Sequence, residues 1–239
     1  MRAARVVTLV LAAHGSADPR SPAVTLAVAG RIRRLRPWLD VRAGFLEKCG
    51  PSLGEVLADT TGAVVVPFLL ADAYHSRVDI PAVIAESGSH AIQAPVLGED
   101  PALLSVARLR LAEAGISPDD AGLGVIMVAV GSSDPAANAR TATVATALAR
   151  GTRWAGVDTA FATGPYASDL PAVVSTLRDG GARRIVLTPW FLAPGVITDR
   201  VAKVAAREGI PMTSPLGSHN LVAATVLDRY DASALRLAA

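Results

Sequence analysis

The stretch "LVLAAHGSADPR" (residues 9–20) returns later in the chain as "IMVAVGSSDPAANAR" (residues 126–140). Both copies place an apolar run before a Gly-Ser pair and an Asp-Pro step, and the two Gly-Ser pairs are 116 residues apart. One difference matters for chemistry, because His14 in the first copy corresponds to Val130 in the second. The pattern indicates an internal duplication in which only one copy carries the histidine.

Further matches follow in the same order through both parts of the chain. The matched pairs are Phe45 with Phe161, Pro67 with Pro189, and Gly98 with Gly217. We therefore predict two homologous halves, residues 1–114 and 123–239, joined by a segment of polar and helix-breaking residues.

Each half is predicted to contain four strands that alternate with four helices. The strands are short β-branched runs without polar alternation, as in parallel strands that are covered on both faces. They are residues 6–12, 41–45, 63–67 and 90–94, then 124–130, 158–162, 184–189 and 211–213. This alternation predicts an α/β fold of two tandem doubly wound, flavodoxin-like domains, each with a four-stranded parallel sheet, and an active-site cleft between them.

Helix starts follow the same logic in both halves. In the first half Ser21 is predicted as the N-cap, with Pro22 at the first helical position. In the second half Asp134 and Pro135 are predicted to play those two parts.

Composition restricts the class of protein. The 239 residues are 51% hydrophobic, and 23 Lys and Arg nearly balance 21 Asp and Glu, with no basic block that would indicate nucleic-acid binding. The single cysteine, Cys49, excludes an internal disulfide and suits a reducing compartment. The N-terminal apolar run is too short to span a membrane, so we expect a cytoplasmic protein that binds neither nucleic acid nor membrane.

Polar side chains follow three of the predicted strands of the first half. His14 follows the first strand, Glu47 the second, and Tyr74 and His75 lie in the loop after the third. Ligands of such sheets bind beyond the carboxyl ends of the strands, so these groups are predicted to converge there. Two neutral imidazoles and a carboxylate suit a divalent first-row metal with positions left open for a substrate.

Several common catalytic motifs are absent from the sequence. There is no GxGxxG, P-loop, GxSxG or HExxH pattern. The "AHG" after the first strand is similar to histidine phosphatases, but these carry an arginine where Ala13 stands. A phosphate-ester hydrolase therefore remains only a weak alternative.

The sequence resembles the class II tetrapyrrole chelatases of the sirohydrochlorin type, in their two-domain form. The resemblance rests on "AHGSADPR", "FLEKCGPSL" and "VVVPFLLADAYHSRVDIP", which lie in that order in the first half. It implies insertion of Fe²⁺ or Co²⁺ into sirohydrochlorin, on the route to sirohaem or cobalamin. His14 and His75 match the metal-handling histidines of the family, and Glu47 matches its acidic residue.

The implied reaction suits these residue types. A tetrapyrrole must lose two pyrrole N–H protons before it holds a divalent metal, and a neutral imidazole can take a proton or deliver a metal ion. Glu47 can orient an imidazole or accept the second proton.

The substrate carries many carboxylates, which call for basic and hydrogen-bonding groups. Arg20 and Arg77 lie beside the histidine motifs and are either ligands of these carboxylates or solvated helix ends. The remaining predicted substrate contacts are Ser16 and Tyr74 in the first half, and Ser132, Arg140, Thr198 and Arg200 in the second.

The second half lacks the chemistry in this interpretation. Glu47 is replaced by Thr163, and His75 is expected to align near Gly195 or Val196. The second half then forms the other wall of the cleft, or it is only a scaffold. We expect a monomer with no tightly bound cofactor, in which the metal is a substrate; the alternative function is a non-catalytic carrier of a tetrapyrrole or metal.

Overall fold

The computed structural model describes residues 7–60, 62–165 and 167–238, and it is an α/β structure with parallel sheets. Val6, the predicted first residue of the first strand, lies outside these residues. The elements in chain order are β1 Thr8–Ala13, α1 Arg20–Leu35, β2 Val41–Phe45, α2 Leu53–Ala58, β3 Ala63–Pro67, a π-helical turn His75–Asp79 that continues as α3 Ile80–Glu86, β4 Ile92–Gln93, α4 Pro101–Glu113, β5 Leu123–Ala129, α5 Pro135–Ala149, β6 Gly156–Phe161, α6 Leu170–Asp179, β7 Arg184–Pro189, α7 Val196–Arg207 and α8 Asn220–Ala238.

The strands form two parallel sheets, which confirms the predicted fold class. The first sheet has the order β2-β1-β3-β4, and the second has the order β6-β5-β7. The central strands β1 and β5 are buried along nearly their whole length, as expected of parallel strands that are covered by helices on both faces.

The strand registers show the internal duplication residue by residue. Ala12 pairs with Gly44 on one side and with Pro67 on the other. Val128, 116 residues later, pairs with Ala160 and Pro189 in the same way. A one-residue slip would exchange the two faces of a strand, so identical registers mean that the two sheets bury equivalent positions.

The second sheet is one strand smaller than predicted. The predicted strand at residues 211–213 forms only an isolated parallel bridge between Met212 and Leu187. The Leu187 backbone donates to Pro211 O and accepts from the Thr213 backbone. Pro211 has no N–H, and Pro215 follows closely, so the ladder does not extend beyond this bridge.

The helix caps confirm one prediction and correct the other. Asp134 caps α5 by accepting from the Ala136 backbone, with proline at the first helical turn as expected. Ser21 is not the cap of α1, because this helix already begins at Arg20. Pro19 occupies the N-cap position, and the carboxylate of the preceding Asp18 accepts from the Arg20 backbone just as Asp134 does from Ala136.

The chain packs as two units that divide it differently from the predicted halves. One unit contains the residues up to Gly98 together with those from Ser218 onward, and the other contains Glu99–Gly217. Helix α8 therefore belongs to the first unit, where Arg229 donates to the carbonyls of Val96 and Leu97. Helix α4 belongs to the second.

Side-chain contacts explain this division. In the first unit the Arg36 guanidinium forms a two-point ion pair with Asp231 of α8, with N–O distances of 2.5 and 2.6 Å. In the second unit Arg110 of α4 donates to the carbonyls of Pro215 and Leu216. An arginine thus links α8 to the first unit, and another arginine links α4 to the second.

None of the helices in the described part of the chain is both long enough and apolar enough to cross a bilayer.

Candidate functional site

The first unit brings three chemically active side chains together at one sheet edge. His14 directly follows β1, Glu47 follows β2, and His75 begins the π-helical turn after β3. The imidazole centroids of His14 and His75 lie 4.5 Å apart with an edge-on angle of 84°. His14 Nε2 lies 3.3 Å from Glu47 Oε1. The predicted convergence of these three residues is present in the structure.

A glycine sets the distance between His14 and Glu47. Gly15 has a φ of 90°, which side-chain-bearing residues rarely adopt. A Cβ at this position would lie 1.9 Å from the carbonyl oxygen of Glu47. This close approach lets the Glu47 backbone N–H donate to His14 O at 3.0 Å. The side chains of both residues therefore leave the sheet side by side.

The His14–Glu47 pair presents two donor atoms in one direction. The other ring nitrogen of His14, Nδ1, lies 3.0 Å from Gly15 O, so it can donate to this carbonyl and leave the Nε2 lone pair available. Two atoms 3.3 Å apart can bind one divalent ion at ordinary bond lengths of about 2.1 Å. Both side chains are roughly two-fifths exposed, so a ligand can reach them.

Lys48 adds a positive charge to this pair. Its Nζ lies 2.9 Å from Glu47 Oε1, the same oxygen that faces His14. This hydrogen bond lowers the pKa of Glu47 below its ordinary value, partial desolvation opposes the shift, and the positive charge of Lys48 adds to it. The Glu47 carboxylate is therefore held in its ionised form.

The loop that carries His75 is fixed from its own side. The Ser76 hydroxyl is buried, donates to Asp72 and accepts from the Ala73 backbone. The Gln93 amide of β4 donates to Ser76 O at 2.7 Å. These bonds hold the residue next to His75 and so restrict where its ring can lie.

The His75 ring has a partner of its own. Its Nδ1 lies 2.6 Å from Oδ2 of Asp79, four residues later in the π-helical turn. Since Nδ1 is engaged, Nε2 is the ring nitrogen left for a ligand. Among the described residues, no group of three or more His, Cys, Asp and Glu side chains is arranged so that it could hold a metal ion by itself.

The other predicted contacts of the first unit lie around this cluster. Tyr74 is 62% exposed, and its ring centroid is 6.1 Å from that of His75. The Ser16 hydroxyl accepts from the Asp18 backbone. Arg20 forms an ion pair with Asp18, and Arg77 forms one with Asp72. A substrate carboxylate that binds either guanidinium must displace the protein carboxylate or share the guanidinium with it.

The four predicted contacts of the second unit have different surroundings. Ser132 repeats the turn of Ser16, with its hydroxyl accepting from the Asp134 backbone. Thr198 is buried, and its hydroxyl bonds with the backbone of Gly195 instead of facing a ligand. Arg140 is half-buried. Arg200 is exposed and lines a largely apolar cavity of about 270 Å³ in this unit.

The second unit repeats the backbone of the site without its chemistry. Gly131 has a φ of 94°, and the Thr163 backbone donates to Val130 O at 2.8 Å, as Glu47 does to His14. His75 was expected to align near Gly195 or Val196, and the hydrogen bonds point to the next residue. The hydrogen bonds of Thr198 match those of Ser76, which places Ile197 opposite His75.

Sequence reasoning missed two residues of the site. Lys48 could have been considered because it follows Glu47 in the sequence. Whether two adjacent side chains meet depends on the backbone, and here the unusual φ of 64° at Lys48 brings its side chain to Glu47. Asp79 gave a signal as well, because it lies four residues after His75 in a helical segment.

The chain matches a family model through both repeats. The CbiX family model matches residues 8–114 and 124–233. A sirohydrochlorin cobaltochelatase from Priestia megaterium is 28% identical over 176 residues, which are 69% of this chain and 57% of that protein. The chain thus spans less than two thirds of the length of this relative.

Solved structures share the fold. SirB from Bacillus subtilis with Fe³⁺ superposes with a TM-score of 0.78 at 23% identity, covering 96% of both chains. The sirohydrochlorin chelatase SirB from Bacillus subtilis subspecies spizizenii, in complex with cobalt, gives a TM-score of 0.72 at 20% identity, covering 96% of this chain and 95% of that chain. With the duplicated sheets and a family match through both repeats, this chain belongs to the CbiX family.

Proposed function

We propose that this protein inserts a divalent metal ion into sirohydrochlorin. The observation that carries the proposal is the cluster of His14, Glu47 and His75 at the sheet edge of the first unit. Membership of the CbiX family and the cobaltochelatase relative support it. The reaction releases two protons from the pyrrole nitrogens and forms bonds from the macrocycle to the metal.

His14 and Glu47 are proposed to receive the metal ion. Their donor atoms face each other at 3.3 Å, and replacing water ligands by these atoms lowers the barrier to desolvating the ion. His75, with Nδ1 bonded to Asp79, offers Nε2 to the ion or to a pyrrole proton. Once the ion has passed to the macrocycle, the ionised Glu47 carboxylate accepts the second proton.

The carboxylates of the macrocycle are proposed to bind the basic groups around this cluster. Lys48, Arg20 and Arg77 lie in the same unit, each paired with a protein carboxylate, and a substrate carboxylate would bind by sharing these cations with their protein partners. Ser16 and Tyr74 are proposed as further contacts of the same substrate.

The residues of the second unit are proposed to act in substrate affinity or as scaffold only. Ser132, Arg140 and Arg200 have polar groups that suit a carboxylate ligand. Thr198 is better explained as a structural residue in the first turn of α7, since its hydroxyl already bonds with the N-cap residue Gly195.

The metal is proposed to be Co²⁺ or Fe²⁺. Imidazole and carboxylate donors accept several first-row ions, with affinities ordered more by the metal than by the site. The related enzyme is a cobaltochelatase, whereas the two solved SirB structures contain Fe³⁺ and cobalt. We further infer a cytoplasmic monomer, in keeping with the unpaired Cys49 and with a readily oxidised Fe²⁺ substrate.

The proposal is tested with sirohydrochlorin in large excess over the protein. The absorption spectrum is followed after addition of Co²⁺, Fe²⁺ or Ni²⁺ in separate reactions. An enzyme converts many equivalents at a rate above the protein-free control. A carrier gives at most one equivalent of bound product and then returns to the control rate, and this result would replace the proposal by the carrier function.

A further inference from the structure

The helix after β3 differs from its counterpart after β7 by one residue. Before the difference the two segments match closely, because Ser76 and Thr198 use their hydroxyls in the same way. Each bonds with the backbone N–H and C=O of the residue three positions earlier, Ala73 and Gly195 respectively. The matched positions are 122 residues apart, as are Pro67 and Pro189.

After the π-helical turn the spacing falls by one. Ile80 is fully buried in the core of the first unit, and Val201 is its counterpart in the core of the second, 121 residues later. The two residues after each are exposed, and the third is half-buried, in both helices. Three residues therefore lie between Ser76 and Ile80, with Asp79 as the last, where the second unit has two between Thr198 and Val201.

The backbone accommodates the extra residue as a π turn. The Ile80 N–H donates to His75 O, five residues earlier, where an α-helix would use a residue four earlier. Such single-residue expansions are rare and occur often at functional sites. Here the expansion contains the only carboxylate bonded to His75 among the described residues, with Asp79 Oδ2 at 2.6 Å from Nδ1.

The hydrogen bond has a defined effect on the imidazole. A carboxylate accepts a hydrogen bond and cannot donate one when ionised, so Nδ1 must carry the proton. Nε2 then keeps its lone pair, and the ring orientation is fixed by a side chain that is itself one-third exposed. Partners of this kind typically change metal affinity or activity by about 10- to 100-fold when they are removed.

We propose that Asp79 is a positioning residue, and that the one-residue expansion of this helix serves to place its carboxylate on Nδ1 of His75 so that Nε2 points to the metal or the macrocycle. The inference rests on the proposed function for what Nε2 binds. The tautomer that it predicts is independent of turnover.

The test compares Asp79→Ala and Asp79→Asn with the wild type. Asp199→Asn, on the corresponding helix of the second unit, is the matched control. Ring ¹⁵N spectra of histidine-labelled protein are recorded without metal at a pH where the imidazoles are neutral, and His75→Gln assigns the signals. The wild type and the control should show His75 with Nδ1 protonated, whereas the alanine variant should show a mixture of both tautomers.

Metal binding gives the second readout. Co²⁺ titration without tetrapyrrole should show affinity about 10- to 100-fold weaker for Asp79→Ala, partial recovery for Asp79→Asn, whose amide oxygen can still accept, and no change for Asp199→Asn. In turnover, the KM for Co²⁺ should rise while the KM for sirohydrochlorin and the unfolding midpoint remain close to wild type.

Two results would overturn the assignment. One is a wild-type His75 protonated on Nε2, and the other is an alanine variant with unchanged tautomer and unchanged Co²⁺ affinity. If the wild type fails to metallate sirohydrochlorin although the tautomer depends on Asp79, the proposed function is refuted and the positioning assignment stands.

Discussion

Replacing Gly15 by alanine tests whether the turn at Gly15 sets the geometry of the proposed site. The equivalent turn at Gly131 in the second unit serves for comparison. The added Cβ would lie 1.9 Å from Glu47 O, and at Gly131 it would lie 2.5 Å from Thr163 O. Both glycines have φ values near 90°, where a side chain is strained. Gly131→Ala is thus a matched control that disturbs the same turn in a unit without His14 or Glu47.

The expected loss of stability is similar for the two variants. A side-chain-bearing residue with positive φ costs about 1–2 kcal/mol. The backbone hydrogen bond across the turn is Glu47 to His14 in one unit and Thr163 to Val130 in the other, and losing it costs about 1 kcal/mol more. We expect each variant to lose roughly 2–3 kcal/mol of unfolding free energy, measured by urea denaturation.

The expected effect on turnover differs. Relief of the clash requires Gly15 and the Glu47 backbone to separate by roughly 1 Å or more, which is enough to reduce catalysis by about 100-fold when it misplaces a reacting group. Gly131→Ala should retain turnover within a few-fold, assayed at a temperature where both variants are folded. Equal losses of turnover in the two folded variants, or full activity of Gly15→Ala, would refute the account of how this turn sets the site.

Three further predictions concern single carboxylates and their partners. Glu47→Gln should lower kcat by about 100-fold with the fold intact, because it removes a proton acceptor; unchanged kcat would exclude that role. Lys48→Met should raise the pKa of Glu47, so the acidic limb of the turnover–pH profile should move to higher pH, and a shift to lower pH would contradict the ion pair. The Arg20 side chain and backbone lower the pKa of Asp18 from 3.8 to about 2, so the ionised cap stabilises the fold above pH 3.8 and this contribution is lost as the pH falls towards 2. Asp18→Asn should therefore flatten the dependence of the unfolding midpoint on pH in that range, and an unaltered dependence would count against the cap.

The sequence allowed the fold and the main cluster to be predicted, because both depend on periodic patterns. Apolar runs that lack alternation identified the parallel strands, and their carboxyl ends placed His14, Glu47 and His75 at one edge. The repeat also indicates the bond from Asp18 to the first turn of α1, since Asp18 matches Asp134, whereas the local Ser-Pro signal predicts a start that is too late.

Other features depend on three-dimensional packing and were not predictable in this way. The place of α8 in the first unit is determined by side-chain bonds such as Arg229 to Val96 O, which have no sequence period. The π turn at Asp79 inserts one residue without a glycine or proline to mark it. Alignment by sequence alone therefore places His75 only near Gly195 or Val196, and the hydrogen bonds of Ser76 and Thr198 are needed to match it with Ile197.

The central claim is that only the first repeat carries the metallation chemistry. It is tested most directly by the initial rate of cobalt insertion into sirohydrochlorin, measured side by side for the wild type, His14→Ala, His75→Ala, Val130→Ala and Thr198→Ala. We expect the two histidine variants to remain folded and to fall to or near the protein-free rate. The Val130 and Thr198 variants should keep most of the turnover when folded, because neither side chain can bind a metal strongly or take a proton near neutral pH. Thr198→Ala should mainly lower stability, since it removes the hydroxyl that bonds with Gly195. Full activity of His75→Ala, or loss of turnover without weaker substrate binding in either second-repeat variant, would contradict the claim.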